Sequence, residues 1–523
     1  MLVAAAALLA ACTSSTNGQL AGPGQSATGS PSSSASGGST GAGPSASEPT
    51  VSRAQFHDCS SSFTLSALGL PSDVLARLTF DCASVSVPLN YAQPSGKKIS
   101  IALVRVHDTT VTPIGSLLVN PGGPGASGIE TALGLTPSLD NTLLKHFDLI
   151  GFDPRGVGSS SPISCLTDAQ KDTLNAASPD VRTAAGFTAA KKSAKQVAQA
   201  CTDKYGSDLQ YYNTVNTARD MDLIRQAVGD NQMNYLGFSY GTELGAQYLH
   251  LFPTKMRVAV LDGAVDPLTS DITSFANQLD GFEKAFDQFA AWCKTDSSCT
   301  SIGDPRKAVA TIAAQAQKSP IPSSAAGETR KATSSLVYTG VLQALYSQSL
   351  WSTLGTALKQ AEGGDSKGLL SLADQYNERY NGQYTNISDA NLTIDCNDSK
   401  PGPSDATIRA TTASWVKRFP MFGLWSASSL FACQQWQPDR TPVPLPTATT
   451  TPRKVLVIGN LHDPATPYQG AKNLTKTLGN AELLSWNGEG HTSYLQGSSC
   501  IDAAVNKYLI DGTLPAANTT CPR

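Results

Sequence analysis

The segment that most constrains the fold of this chain is residues 237–241, which read GFSYG. A strand-like run (233–236) precedes it and a helix-like run (242–251) follows it. In this context a G-x-S-x-G pattern predicts a sharp strand-to-helix turn that exposes the hydroxyl of Ser239 at the edge of a sheet. Such a serine is typical of enzymes that attack a carbonyl with an activated hydroxyl. A second copy, residues 37–41, lies in a Ser/Gly-rich stretch without a flanking strand or helix, so we give it no role.

Eight apolar runs predict the strands of this sheet. Several are short and almost continuously apolar, such as residues 455–458 (VLVI), which is typical of strands buried on both faces. Helix-like stretches alternate with the later runs, and this alternation predicts an α/β fold with a mostly parallel, eight-stranded sheet. The eight runs are residues 80–89, 98–106, 116–120, 147–152, 234–238, 258–262, 454–458 and 482–486.

A long insertion separates the last two predicted strands from the first six. It covers residues 267–451, opens with a helical apolar period between residues 275 and 289, and ends in a Pro/Thr-rich connector. The sequence therefore predicts one catalytic domain in two parts, residues 53–266 and 452–523, split by a large, mainly helical lid.

The N-terminus resembles an export signal. Residues 1–12 are apolar and end in LAAC, similar to a bacterial lipobox, which would make Cys12 the lipidated first residue of the mature protein and its attachment to a membrane. The segment is too short to span a bilayer and lacks the usual basic residues, so a plain apolar terminus is the alternative. Residues 13–52 are rich in Ser, Gly, Thr, Ala and Pro, and this composition predicts a disordered tether.

Cysteine usage agrees with an extracytoplasmic, cell-envelope or secreted location. Ten cysteines remain when Cys12 is set aside, and an even number in an exported chain predicts disulfides. The sequence does not determine the pairing. We expect sequential neighbours to pair, because each bond then ties one local stretch, and buried free thiols are the alternative. The expected pairs are Cys59–Cys82, Cys165–Cys201, Cys293–Cys299, Cys396–Cys433 and Cys500–Cys521.

Other partners receive no support from the composition. The net charge of −3 gives no indication of nucleic-acid binding. No C-x-x-C motif is paired with histidines, so no metal site is predicted.

A reactive serine needs a base, and the base needs an orienting carboxylate, in the chain order Ser, acid, His for a sheet of this kind. His491 lies in a glycine-flanked loop directly after the last predicted strand, and we assign it as the base. Asp463 lies in the loop after the preceding strand, and we assign it as the acid, with Asp262 or Asp266 as the alternative. The adjacent His462 is interpreted as a loop residue.

The oxyanion that forms on attack needs preorganised N–H donors. The backbone N–H of Tyr240, at the start of the predicted helix, is one candidate. The second is expected from the loop 120–128 (NPGGPGASG), where glycines allow close approach of the backbone. Pro124 has no N–H, so Gly123 is the first choice and Gly122 the second.

Five motifs together resemble the α/β-hydrolase serine peptidases, most closely the proline iminopeptidase and tripeptidyl aminopeptidase family. They are GGPG (122–125), GFDPRGVGS (151–159), SYGT (239–242), DPATP (463–467) and GH (490–491). The resemblance spans roughly residues 59–521, and the part from residue 395 onward is similar to the C-terminal region of tripeptidyl aminopeptidases. Proline iminopeptidases usually carry His and Trp where this chain has Pro121 and Tyr240, and this departure favours the tripeptidyl aminopeptidases.

The resemblance implies an exported serine aminopeptidase without a cofactor, which releases short peptides, expected to be tripeptides, from the free N-termini of peptides or proteins. Binding an ammonium group requires a carboxylate, and the candidates are Asp398, Glu243 and Glu489, with Asp398 favoured. Ion pairs or helix caps explain these residues equally well. The alternatives are an esterase or lipase with the same triad and a non-catalytic envelope-binding lipoprotein. Two glycosylation-like sequons, at Asn386 and Asn391, receive no function.

Overall fold

The apolar runs of the sequence form one large sheet in a computed structural model, which describes Pro49 and residues 51–139 and 141–523. The signal-like segment, Cys12 and most of the predicted tether lie outside the described residues.

The described residues form twelve strands and sixteen α-helices. The strands are β1 (His57–Asp58), β2 (Leu78–Pro88), β3 (Lys98–Asp108), β4 (Ser116–Asn120), β5 (Asp148–Phe152), β6 (Met233–Phe238), β7 (Met256–Asp262), β8 (Arg379–Tyr380), β9 (Gln383–Tyr384), β10 (Val455–His462), β11 (Ala481–Glu489) and β12 (Thr520–Cys521). The helices are α1 (Ser72–Arg77), α2 (Gly128–Leu139), α3 (Asp168–Ala176), α4 (Ala184–Tyr205), α5 (Thr214–Val228), α6 (Tyr240–Leu251), α7 (Asp271–Cys293), α8 (Pro305–Lys318), α9 (Ser334–Leu345), α10 (Trp351–Glu362), α11 (Lys367–Tyr376), α12 (Ile387–Asp398), α13 (Asp405–Arg418), α14 (Gly423–Ser426), α15 (Gln469–Leu478) and α16 (Ser499–Asp511).

Ten strands form the main sheet, in the order β1-β2-β3-β5-β4-β6-β7-β10-β11-β12. The pairs among β1, β2, β3 and β5 are antiparallel, and every pair from β5 to β12 is parallel. All eight predicted strands are present. The predicted number is two too low, because the edge strands β1 and β12 have two residues each and are too short to show an apolar period.

Alternation along the strands divides the core into two layers. Leu117 and Val119 of β4 pack with α2 and α16, whereas Leu118 packs on the opposite face with α5, α6 and α15. Burial on both faces explains the continuous apolar runs in the sequence. Because these strands run parallel, their carboxyl ends lie at one edge of the sheet, where the loops after β4, β6, β7, β10 and β11 begin.

The insertion between β7 and β10 has its own apolar core, built mainly from α7 to α11, α13 and α14. Packing crosses the predicted boundaries of the lid in two places. Phe187 and Ala190 of α4, from the first part of the chain, belong to the lid core. Ala390 and Ile394 of α12, inside the insertion, belong instead to the core of the body.

Five disulfides tie neighbouring stretches of the described chain. They join Cys59–Cys82, Cys165–Cys201, Cys293–Cys299, Cys396–Cys433 and Cys500–Cys521. Within residues 51–139 and 141–523, no helix is both long and apolar enough to cross a bilayer.

Candidate active site

Ser239 occupies the turn between β6 and α6 with φ 55° and ψ −126°, a backbone conformation that residues other than glycine rarely adopt. Its backbone N–H donates to the carbonyl of Asp262 at 2.9 Å, which ties the turn to the end of β7. Gly122 packs directly on the turn, since a Cβ atom there would lie 2.5 Å from the carbonyl oxygen of Phe238. The serine is therefore held by two neighbouring strand ends.

His491 and Asp463 form a buried pair. His491 Nδ1 lies 2.9 Å and 3.0 Å from the two carboxylate oxygens of Asp463. The carboxylate also accepts hydrogen bonds from the N–H groups of Ala465, Thr466 and Thr492 at 2.8 to 3.0 Å. These donors fix the carboxylate, and the carboxylate fixes the orientation of the imidazole.

The second ring nitrogen of His491 has no hydrogen-bond partner in the part of the chain that the structure describes. His491 Nε2 is buried and makes no hydrogen bond within the described chain, and Ser239 Oγ is not bonded to it. Catalytic hydrogen bonds are often long in free enzymes and shorten when substrate binds. The lid reaches the same loop, because the N–H of His491 donates to the carbonyl of Tyr346 at 2.8 Å and the two rings lie edge to face at 5.6 Å.

The alternative acids have other partners. Asp262 accepts from the N–H groups of Ser493 and Tyr494 at 3.0 Å and 2.8 Å. Asp266 accepts from Leu268 N–H and from the amide of Asn473. Neither is bonded to the imidazole of His491 in the described chain.

The two expected oxyanion donors line the same cavity as Ser239. Neither Gly123 N–H nor Tyr240 N–H donates a hydrogen bond within the described residues. The N–H of Gly122, the second choice, is occupied because it donates to Asn120 Oδ1 at 3.0 Å. The geometry thus favours Gly123 over Gly122.

A cavity of about 600 Å³ opens beside Ser239, between the body and the lid. Glu243, Asp395 and Asp398 line it, and none of the three forms an ion pair with a described residue. Lys284 is the one lysine among its described lining residues, no arginine is present, and Lys284 is paired with Asp280 at 2.6 Å. The cavity is therefore acidic without internal compensation.

Burial and mutual repulsion raise the pKa of these three carboxyl groups, so that each keeps its proton to a higher pH than usual. Burial, with the charge of Asp271, raises the pKa of Glu243 to about 7. Burial also raises the pKa of Asp395 and of Asp398 well above the ordinary value, with Asp398 acting on Asp395 and Glu243 on Asp398. A bound cation would remove this repulsion.

The three candidates for amine binding have different positions. Asp398 lies in the cavity and is anchored by Thr214, whose N–H and hydroxyl both donate to it. Glu243 also lies in the cavity, and its carboxylate makes no hydrogen bond within the described residues. Glu489 is outside the cavity lining and lies 3.4 Å from Arg523, so the structure does not bring it to Ser239.

Asp395 lines the cavity but was not among the candidates predicted from the sequence. It precedes Asp398 by three residues on α12, and residues three apart share one face of a helix. That spacing was the available signal. The two sequon asparagines have structural roles: Asn386 bonds the carbonyls of Gly156 and Ile163, and Asn391 bonds that of Pro124.

The sheet order and the serine turn define the class of this protein, a serine hydrolase of the α/β-hydrolase fold. Residues 419–521 match the family described as TAP-like protein. The serine protease Hip1 of Mycobacterium tuberculosis is 38% identical over 455 residues, which are 84% of this chain and 87% of that protein. Carboxylesterase B of the same species is 37% identical over 452 residues, 85% of this chain and 86% of that protein.

A tripeptidyl aminopeptidase of Streptomyces lividans is 31% identical over 454 residues, 84% of this chain and 83% of that protein. The chain belongs to the family of serine peptidases that includes Hip1 and the tripeptidyl aminopeptidases. Among solved structures, an α/β hydrolase from a Medee basin deep-sea metagenome library has a TM-score of 0.38 and 14% identity over 81% of this chain and 98% of that chain. A proline iminopeptidase of Mycobacterium smegmatis has a TM-score of 0.32 and 13% identity over 82% of this chain and 97% of that chain.

Proposed function

We propose that the protein is an exported serine aminopeptidase that releases short peptides, tripeptides in the first instance, from substrates with a free N-terminus. One observation carries the proposal. The carboxylates that line the cavity beside Ser239 include Glu243, Asp395 and Asp398, which have no cationic partner among the described residues. A peptide N-terminus supplies the missing cation.

The chemistry uses groups of the chain and one water molecule. Ser239 Oγ attacks the scissile carbonyl carbon while His491 Nε2 takes the hydroxyl proton, and Asp463 holds the imidazole in the required tautomer. The N–H groups of Gly123 and Tyr240 stabilise the oxyanion. The imidazolium then protonates the leaving amine, the C–N bond breaks, and an acyl-enzyme remains. Water, deprotonated by His491, hydrolyses this ester and regenerates Ser239.

Recognition of the amine is shared within the cluster. Asp398 is held in place by Thr214, whose hydroxyl also contacts the hydroxyl of Tyr240, so this carboxylate is linked to an oxyanion residue. Glu243 and Asp395 keep their carboxylate oxygens free of hydrogen bonds within the described chain. We assign the direct contact with the ammonium group to these two, with Asp398 as the anchored member. The sequence alone favours Asp398 for this contact.

Export is proposed on separate grounds. Five disulfides require an oxidising compartment, and reducing conditions in the cytoplasm oppose them. The lipobox-like segment would place a lipid on Cys12, with residues 13–52 as the tether to a membrane.

An esterase is the second candidate function. A relative with 37% identity is named carboxylesterase B, and an ester passes through the same acyl-enzyme as an amide. The two functions differ in their need for a free amine.

The test is hydrolysis of a chromogenic tripeptidyl amide in two forms, with a free and with an acetylated N-terminus, by the wild-type protein and by Ser239→Ala. We expect cleavage of the free form alone and a loss of about 10⁴-fold or more in the variant. Glu243→Gln and Asp395→Asn should each raise KM for the free form. Glu362→Gln, an exposed glutamate at the end of α10, is the matched control.

Equal cleavage of the free and acetylated amides would disprove amine recognition. Turnover of a simple acyl ester without turnover of either amide, dependent on Ser239, would replace the peptidase with the esterase. Activity that survives Ser239→Ala would refute the assigned nucleophile.

A further inference from the structure

A second buried carboxylate lies beneath the loop that carries His491. Asp262, at the end of β7, is fully buried, and its Oδ2 atom accepts the N–H groups of Ser493 and Tyr494 at 3.0 Å and 2.8 Å. Its Oδ1 atom is buried and has no hydrogen-bond partner in the described chain. A buried carboxylate oxygen without a partner is costly, so its presence calls for a function.

The main chain of the same residue holds the nucleophile. The carbonyl of Asp262 accepts the N–H of Ser239 at 2.9 Å. One residue therefore contacts the serine turn through its backbone and the histidine loop through its side chain.

The histidine loop needs such support. Thr492 and Leu495 have φ values of 69° and 62°, which are unfavourable for residues with a Cβ atom and especially for a β-branched one. Conformations of this kind persist where surrounding bonds determine them. Asp463 accepts the N–H of Thr492, and Asp262 accepts the next two N–H groups along the loop.

We propose that Asp262 is a positioning residue of the reaction, which sets the turn that carries His491 and places a second buried negative charge near the imidazolium of the transition state. The proposal rests on the proposed roles of Ser239 and His491. It does not make Asp262 the orienting acid, because His491 Nδ1 is bonded to Asp463.

Electrostatics favour the transition state in particular. Burial raises the pKa of Asp262 to about 6, the N–H groups of Tyr494 and Ser493 oppose the rise, and the charges of Asp463 and His491 act in opposite directions. While the imidazole of His491 is neutral, the Asp262 carboxylate is therefore only partly compensated. When the imidazole takes the proton of Ser239, this carboxylate gains a cationic neighbour, so the attraction exists mainly in the transition state. Tyr346 is the titratable lid residue that faces the same imidazole.

The experiment measures kcat/KM between pH 5 and pH 9 with 4-nitrophenyl acetate, which has no amine. We expect Asp262→Asn to lower kcat/KM by about 10- to 100-fold, a part of what a general base contributes. The acid limb should also move to lower pH, because removal of a negative charge lowers the pKa of a histidine. Asp502→Asn is the matched control: Asp502 accepts the N–H of Leu495 in the same loop, so it tests loop support without Asp262's charge.

Asp262→Ser, also neutral, replaces Asp262→Asn if the latter does not fold, as judged by thermal unfolding. An acid limb that stays at its wild-type pH in the folded neutral variant, or one that Asp502→Asn moves equally, would overturn the proposal. Ser239→Ala in the same assay distinguishes a wrong role for Asp262 from a wrong triad. If Ser239→Ala is inactive and the acid limb of the Asp262 variant does not move, only the role of Asp262 is wrong. If Ser239→Ala is active, the proposed triad is wrong.

Discussion

At the scale of single residues, the contact between Asp463 and His491 could be predicted because each residue lies in a short motif directly after a predicted strand. The structure brings Asp463 and His491 into contact and places Ser239 in the adjoining cavity. The prediction that Glu489 binds the amine was less successful. Glu489 lies two residues before His491 in the chain, but alternation along β11 directs its side chain toward Arg523. Chain proximity does not determine the face of a strand on which a side chain lies.

Gly122 is the residue at which the turn that carries Ser239 meets loop 120–128, named the oxyanion loop for its proposed role. Its φ is +97°, and a Cβ atom would lie 2.5 Å from Phe238 O and 2.9 Å from Tyr240 N. We expect Gly122→Ala to reduce kcat by about 10²- to 10³-fold, comparable with the loss of one oxyanion donor, because backbone atoms must move. Steady-state kinetics with the tripeptidyl amide provides the measurement.

Gly364→Ala is the control for Gly122→Ala. Gly364 has a similar φ of +87°, but a Cβ atom there would have no neighbour within 4 Å. It should carry the same backbone strain and leave kcat unchanged. Equal losses in the two variants would show that the contact at Gly122 has no catalytic importance.

At the scale of elements, apolar runs and alternation predicted the strands. Whether a helix packs in the core of the body or in the core of the lid could not be predicted. Helix α12 lies inside the insertion by sequence but packs on the body through Ala390 and Ile394. Helical periodicity shows that a helix has an apolar face, but not which core that face contacts. The position of α12 matters because it carries Asp395 and Asp398 and lies against the oxyanion loop.

Asn391 joins α12 to that loop. Its amide donates to the carbonyl of Pro124 at 3.0 Å, and Gly125 approaches the backbone of Ile387 and Asn391 so closely that a Cβ atom there would clash. We expect Asn391→Leu to lower kcat by about tenfold for amide and ester substrates alike, because the Gly123 N–H is no longer held for the oxyanion. KM for the free-amine substrate should change less, since Asp395 and Asp398 remain on the helix.

The control is Thr393→Val on the same helix, where the hydroxyl bonds only the carbonyl of Asp389 within α12. It should have near wild-type kcat. If Asn391→Leu raised KM and left kcat unchanged, the contact would support amine binding rather than the oxyanion loop.

At the scale of the whole molecule, composition and cysteine number indicated a globular, disulfide-bonded chain, and the motif order indicated the α/β-hydrolase sheet. The acidic cavity could not be predicted in the same way. Its carboxylates come from α6 and α12. Glu243 and Asp395 are 152 residues apart in the chain. Only the docking of α12 on the body brings them together.

This cavity should make stability depend on pH. The pKa of Glu243 rises from the ordinary 4.5 to about 7 in the folded protein. The folded state therefore binds this proton more tightly than the unfolded state. The resulting stabilisation is fully present below pH 4.5 and is lost as pH rises through about 7. Asp395 and Asp398, whose pKa values are also raised by burial, act in the same direction.

We therefore expect the wild-type Tm to fall between pH 5 and pH 8 and Glu243→Gln to reduce the fall, because glutamine does not ionise. Glu362→Gln, at an exposed site, should follow the wild-type profile. Parallel profiles for the wild type and Glu243→Gln would show that Glu243 does not titrate in this range.

At pH 8 a tripeptide with a free N-terminus should raise the wild-type Tm by supplying the missing cation, and its acetylated form should not. A Tm increase with both peptides would instead locate the binding energy away from the amine.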